Sequence, residues 1–179
     1  ITGGGPGGPA CPGNQMITDV IVAPTPVVTS PASVNVCNNT ALGYDITSST
    51  TDAGLSFEWD RLAVAGISNP EALNQTADPI NETLANTTDE PVDVEYIITP
   101  KILGCDGVPF TLTVTVNPTT TVNSPNTANA CDNAAFTYNI TSPTTNPALD
   151  FTWTRASVAG IAPATGSGSG DVISETLDN

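Results

Sequence analysis

The stretch FEWDRLAVAGIS at residues 57–68 returns as FTWTRASVAGIA at residues 151–162, with seven of the twelve positions identical. Within each copy, Phe, Trp and Arg alternate with other residues, which is the period-two pattern of a strand with one buried face. Copies at a fixed spacing are typical of proteins that stack one folded module end to end. The sequence therefore predicts a modular protein rather than a single large core.

Residues outside these two stretches keep the same spacing of 94. The repeated pairs are Cys11 and Cys105, Cys37 and Cys131, Tyr44 and Tyr138, and Ile46 and Ile140. After a Gly/Ser-rich loop, ATGSGSG, the spacing falls to 93, so that Glu82 corresponds to Glu175. The predicted organisation is a preceding repeat's tail and last strand with a Gly/Pro-rich segment at 1–24, a complete repeat at 25–118, and a partial repeat at 119–179.

Alternating apolar and polar residues predict the strands of one repeat. The apolar sets are Leu42, Tyr44 and Ile46; Leu55, Phe57 and Trp59; Ile80 and Leu84; Val92, Val94, Tyr96 and Ile98; and Phe110, Leu112, Val114 and Val116. Thr, Asn and Ser suit the outward faces and the turns between these sets. About seven short strands in a repeat of about 94 residues predict an all-β fold of tandem immunoglobulin-like β-sandwiches.

The charge balance excludes several classes of partner. Three Lys and Arg residues stand against 18 Asp and Glu, which gives a net charge of −15, and the chain has no histidine. Binding to nucleic acid or to anionic membrane depends on clustered basic residues, so neither partner is predicted. Catalytic triads of the usual kind need a histidine. We therefore predict that the chain is not an enzyme.

A family resemblance rests on the segments FEWDRLAVAGIS, INETLANTT, PVDVEYIITP, GCDG and LTVTVNP. In this order they resemble the PKD-like, immunoglobulin-like repeats of large Bacteroidetes secreted and cell-surface proteins, over residues 27–179. Typical PKD domains carry a Gly-Asp-Gly turn soon after the Trp, where this chain has DRLAVAG. The resemblance therefore implies the fold and an outer-surface location, with no binding site. Similar repeats are spacers in adhesins, some exported by the type IX route and linked to gliding.

The four cysteines predict disulfides. A zinc site needs closely spaced cysteine pairs or added histidines, and the sequence has neither, whereas disulfides place the chain in an oxidising, extracytoplasmic compartment. A Cys37–Cys105 bond would close a loop within one repeat, and a Cys105–Cys131 bond would join neighbouring repeats. We predict the first, because each repeat could then fold without the next. Cys11 and Cys131 would then bond partners outside this stretch of chain.

Two arginines recur at corresponding positions. Arg61 and Arg155 are two of the three basic residues, and Glu82 and Glu175 lie at matching places in a later strand. A guanidinium can hold a carboxylate ligand or an internal carboxylate through two parallel hydrogen bonds. We predict the internal pairs Arg61–Glu82 and Arg155–Glu175.

The two tryptophans also allow two interpretations. Exposed on a flat face, Trp59 and Trp153 would be platforms on which sugar rings stack. Each is in phase with apolar residues of its strand, however, where a sandwich core needs a large side chain. We predict that both are core residues.

No cofactor is predicted, and calcium is a weaker alternative because the Asp and Asn residues of NQTADPINET and CDNAA are scattered rather than alternate. The predicted partners are neighbouring repeats, a second copy of the chain through strand donation by NQMITDVIVAP, and surface polysaccharide. The predicted function is an extended spacer, stalk or filament-forming adhesin module of a secreted or cell-surface protein. The alternative is a carbohydrate-binding or adhesive module, which could be appended to a secreted enzyme.

Overall fold

The structure is a computed structural model that describes Met16, residues 18–146 and residues 148–179. All regular elements in these residues are strands, so the predicted all-β class is confirmed. No helix in the described part is long and apolar enough to cross a membrane. The first region comprises residues 25–118, and the second region comprises residues 119–179.

One sheet of six strands organises the first region. The strands are β1 (Ser33–Cys37), β2 (Leu55–Arg61), β3 (Ala72–Gln75), β4 (Val92–Ile102), β5 (Cys105–Asp106) and β6 (Phe110–Asn117). Their order is β1-β6-β4-β2-β3, and β5 pairs with the end of β4. The β1–β6 pair is parallel and the other pairs are antiparallel. The sequence predicted β2, β4 and β6, whereas β1, β3 and β5 were not expected from alternation.

The central strands form because their apolar residues alternate with polar ones. In β4, Val94, Tyr96 and Ile98 are fully buried, while the intervening Glu95 and Ile97 point outward. The same alternation in β6 buries Leu112, Val114 and Val116 against them and leaves threonines between. Burial of a side chain of this size stabilises a fold by about 1.5–3 kcal/mol. These two strands therefore supply most of one face of the core.

A second layer covers that face, although it is joined by isolated bridges rather than by long strands. The bridges are Val28 with Ser48, Ala41 with Thr83, Tyr44 with Ile80, and Ile67 with Asn86. Tyr44, Ile46, Ile80 and Leu84 project from this layer into the core. The predicted strand at 42–46 is interrupted because Gly43 has a φ of 58°, a left-handed conformation that ends the ladder. Two packed layers are consistent with the predicted immunoglobulin-like sandwich.

The second region contains four strands in two pairs. Strand β7 (Ala135–Asn139) pairs with β10 (Val172–Thr176), and β8 (Thr152–Arg155) pairs with β9 (Gly166–Ser169). The hydrophobic core cluster of the described chain is formed by residues between Val28 and Val116. The apolar residues of the second region are therefore at most half-buried.

Candidate functional site

A buried charged pair is the most distinctive polar feature of the first region. Arg61 ends β2 opposite Tyr96 of β4, and its side chain is only 1% exposed. Its Nε donates to Glu82 Oε2 at 2.8 Å, and its Nη2 donates to Glu82 Oε1 at 3.0 Å. Nη2 also donates to the Pro70 carbonyl at 2.7 Å. The structure thus brings together the two residues that the sequence suggested as partners.

Tyr96 completes this cluster by donating its hydroxyl to Glu82 Oε2 at 2.8 Å. Burial alone would raise the pKa of Glu82, but the hydrogen bonds from Arg61 and Tyr96 outweigh it and lower this pKa. Burial, and then the bond to the carboxylate, raise the pKa of Tyr96. Hydrogen bonds to Glu82 raise the pKa of Arg61. All three groups keep one charge state at neutral pH, which suits a fixed structural contact.

The second region holds a matching pair. Arg155 Nε donates to Glu175 Oε2 at 3.0 Å, and Nη2 donates to Oε1 at 3.2 Å and to the Pro163 carbonyl at 2.9 Å. Arg155 is 21% exposed, and Glu175 is 10% exposed. In both regions the guanidinium is therefore occupied by its own chain, and neither arginine is placed to hold an external carboxylate.

The two tryptophans differ in their surroundings. Trp59 is 3% exposed, donates its Nε1 to the Ala77 carbonyl at 2.9 Å, and lies 5.5 Å from the Tyr96 ring at an angle of 59°. It is a core side chain with a satisfied polar atom. Trp153 is half-buried and packs over Gly168, and its Nε1 has no hydrogen-bond partner among the described residues.

The predicted Cys37–Cys105 disulfide is wrong for this structure, in which both residues are exposed free thiols. Cys37 pairs with Asn117, at the end of the sheet where β6 stops. Cys105 pairs with Ile102, at the opposite end. The two ends are ten residues apart along β4, from 92 to 102, or about 33 Å. Disulfides need Cα atoms within roughly 4.4–6.8 Å.

The other two cysteines are Cys131, which the structure describes, and Cys11, which it does not. Cys131 is an exposed free thiol. Cys11 lies outside the described residues, so its predicted bond to a partner beyond this stretch stays a prediction.

Sequence reasoning missed the role of one buried amide. Asn86 is 5% exposed, and its Nδ2 donates to the carbonyls of Glu90 and Val116, each at 2.8 Å. Its Oδ1 accepts from the Thr88 backbone amide at 2.8 Å. One side chain thus ties the 86–90 turn to the end of β6. The sequence signal for this role was that Asn86 recurs as Asn179. A recurring Asn can mark a buried amide, because a buried Asn needs several hydrogen-bond partners.

A cavity of about 700 Å³ lies where the two regions meet. Cys37, Asn38 and Asn117 line it from the first region, and Asn146 and Leu149 line it from the second. Asn146 Nδ2 donates to Asn117 Oδ1 at 3.0 Å across this boundary. No group of three or more Asp, Glu or Cys residues in the described ranges is arranged to hold a metal ion.

Comparison with known proteins gives one family. Residues 34–120 match the family model described as a PKD-like domain. No curated protein and no solved structure matches the chain. PKD-like domains are generally structural and non-catalytic, and they typically occur in extracellular proteins. The match thus suggests a structural extracellular domain across most of the first region.

Proposed function

We propose that this chain is a structural segment of a secreted or cell-surface protein, built from tandem sandwich modules that act as a spacer or stalk. The first region is one complete module, and the second region is the first part of another. We assign residues 1–24 to the end of a preceding module, and only Met16 and residues 18–24 of this segment are among the described residues. The role is mechanical: each module adds length and rigidity.

The observation that carries this proposal is a set of contacts that recurs at the repeat spacing. The Arg61–Glu82 pair corresponds to the Arg155–Glu175 pair, with the same nitrogens bonded to the same oxygens. Two further contacts are matched. Tyr44 Oη donates to the Pro31 carbonyl, as Tyr138 Oη donates to the Pro125 carbonyl. The Asn86 amide donates to Asn38 Oδ1, as the Asn179 amide donates to Asp132 Oδ1. All of them hold framework segments together, so what the chain repeats is a scaffold.

The boundary between the regions supports a stiff connection. Asn38 Nδ2 donates to Thr119 Oγ1 at 2.9 Å, and Asn146 binds Asn117, so both sides of the boundary are hydrogen-bonded. Pro118 and Pro125 restrict the intervening chain, because proline fixes φ. Modules joined in this way would extend as a row.

A carbohydrate-binding role is the second candidate, and one observation favours it. The cavity between the regions is lined by asparagine and threonine side chains, whose amides and hydroxyls can bind sugar hydroxyls. Among the residues that the structure describes, no aromatic side chain lines it, and Trp59 is buried, so stacking on a sugar ring has no support there. Isothermal titration with acidic and neutral polysaccharides would separate the candidates, because a spacer gives no saturable heat.

The tandem-module proposal is tested by completing the second region. Asn179 corresponds to Asn86, so a copy of residues 87–118 placed after Asn179 would supply the strands that follow in the first region. In this completed chain we expect Trp153 to become as resistant to acrylamide quenching as Trp59. A scrambled copy of the same composition is the control. If quenching of Trp153 stays unchanged, the second region is not a module of this fold.

Strand donation between copies is part of the same proposal. Met16, Val20 and Val22 are 80–90% exposed, and they correspond at a spacing of 94 to Phe110, Val114 and Val116 of β6. We propose that this segment of one copy adds to the second region of another. Sedimentation velocity should then show association that rises with concentration and is lost on V20D/V22D substitution. A monomer at all concentrations contradicts donation and leaves the spacer role intact.

A further inference from the structure

We infer that Cys37 is a junction cysteine, which forms a disulfide with the Cys105-type cysteine of the module that follows it. This inference rests on the proposed tandem-module organisation. The inferred disulfide joins neighbouring modules, whereas the Cys37–Cys105 disulfide predicted from the sequence would lie within one module.

The two thiols lie at opposite ends of one sheet. Cys37 is the last residue of β1 and pairs with Asn117 of β6. Asn117 is followed by Pro118, where the chain leaves the first region. Cys105 begins β5 at the far end, directly after a two-residue turn. That turn has φ values of 50° at Leu103 and 81° at Gly104, which is the pattern of a tight hairpin. The first region therefore presents one exposed thiol at each end.

Cys37 faces the second region across the cavity at the boundary. Leu149 of the second region lines the same cavity as Cys37. At the repeat spacing, Leu149 corresponds to Leu55. Their backbone hydrogen bonds also match, since Leu149 N donates to the Asn146 carbonyl and Leu55 N donates to the Asp52 carbonyl. The end of the second region that meets Cys37 is thus equivalent to the Leu55 end of the first region.

The Leu55 end of the first region is also the end that carries Cys105. In the first region, Leu55 pairs with Ile102, and Ile102 pairs with Cys105, so the three residues form one row across the sheet. Neighbouring strands are about 4.8 Å apart, which puts Cys105 about 10 Å from Leu55. A completed second module would accordingly hold its cysteine about 10 Å from Leu149, beside the cavity that Cys37 lines.

The junction also leaves an apolar side chain that a neighbour would cover. Leu103, at the tip of the hairpin before Cys105, is 63% exposed. In a row of modules this tip points at the preceding module's Cys37 end. The hairpin tip of the next module would pack into the cavity beside Cys37.

Formation of this disulfide needs an external oxidant. The oxidant is a compound or protein of the extracytoplasmic space that itself carries a disulfide. The thiolate of one cysteine attacks the oxidant's disulfide, and the second cysteine then displaces the oxidant's sulfur from the mixed disulfide. One Sγ–Sγ bond forms in the protein and one S–S bond of the oxidant breaks. Two protons and two electrons pass to the oxidant, which leaves as two thiols. Both Cys37 and Cys105 are exposed and therefore accessible for this exchange.

The test uses the full chain extended after Asn179 by the copy of residues 87–118, which adds a copied Cys105. After equilibration with oxidised and reduced glutathione, the protein is digested with pepsin at acidic pH, where exchange is slow, and mapped without reduction. We expect a peptide that links Cys37 to the copied cysteine, with loss of iodoacetamide labelling at Cys37. A matched variant with serine in place of the copied cysteine should restore that labelling.

Three outcomes decide the inference. The expected link, absent from the serine variant, supports it. Protection of Trp153 with Cys37 still fully alkylated would overturn the junction bond while leaving the tandem-module proposal standing. An exposed Trp153 with Cys37 still alkylated would overturn both.

Discussion

The two regions of this chain make the same polar contacts but bury the arginine of the contact to different depths. Arg61 is 1% exposed and Arg155 is 21% exposed, although each guanidinium holds its glutamate through Nε and Nη2. Ile80 is fully buried opposite Tyr44, whereas Ile173, opposite Tyr138, is half-buried. The polar framework is therefore local, and deep burial depends on further strands.

The strands responsible are β4 and β6 of the first region. They contribute Val94, Tyr96, Ile98, Leu112, Val114 and Val116, all fully buried. In the described part of the second region, β8 has only β9 as a partner. The comparison thus separates the contacts that shape a region from the strands that close its core.

The largest expected difference between the regions comes from emptying a matched core position. Ile80→Ala should lower the free energy of unfolding by about 4 kcal/mol, because a fully buried isoleucine leaves a cavity. Ile173→Ala should cost about 1 kcal/mol, because a half-buried site loses less contact area. Urea unfolding, with amide hydrogen exchange to assign each region, measures both. Equal losses would contradict the difference in core closure.

The charged pairs should show the next largest difference. Glu82→Gln leaves the buried Arg61 without its counter-charge and should destabilise the first region by about 3 kcal/mol. Glu175→Gln should cost about 1 kcal/mol in the second region, because water can reach Arg155. A variant with Arg61→Met, Glu82→Leu and Tyr96→Phe is the control, since removing a whole buried polar cluster is often nearly neutral, whereas removing the pair alone would leave the buried Tyr96 hydroxyl unpaired. A Glu82→Gln variant as stable as the wild type would contradict the proposed structural role of the cluster.

A smaller effect should appear in acid. Because the pKa of Glu82 is lowered in the folded state, its contribution to stability is fully present above its ordinary value of 4.5 and is lost as pH falls through the lower folded value. Thermal unfolding of the wild type should therefore show a decline in Tm below pH 4.5 that is shallower in Glu82→Gln. Tyr96→Phe removes one of the two donors to Glu82 and should give an intermediate slope. Parallel profiles for all three proteins would exclude Glu82 as a source of acid sensitivity.

Much of this fold is readable from the sequence, because alternation in β2, β4 and β6 reflects one buried face. The short strands β3 and β5 carry too few residues for a periodic signal. The Arg61–Glu82 contact was predictable from its recurrence as Arg155 and Glu175, whereas the third member, Tyr96, was hidden among apolar residues of its strand.

The disulfide prediction failed for a different physical reason. Sequence spacing gives the size of the loop that Cys37 and Cys105 would close, but it does not give the register of the strands that carry them. The parallel β1–β6 pair places Cys37 at one end of the sheet, and the hairpin after β4 places Cys105 at the other. Such long-range strand order follows from packing of the whole sheet, which local patterns do not encode.

The smallest expected difference concerns two glycines at matched positions. Gly66 and Gly160 have φ values of 90° and 86°, so alanine at either site is strained by about 1 kcal/mol. A Cβ at Gly66 would also lie 2.9 Å from Thr88 Cγ2 and 3.2 Å from Val92 Cγ2, whereas a Cβ at Gly160 meets nothing within 4 Å. Gly66→Ala should therefore cost about 1 kcal/mol more than Gly160→Ala. In the completed chain, where a copied Val92 would follow Asn179, hydrogen exchange should show the two costs converging, and a persistent gap would mean that the second region closes differently from the first.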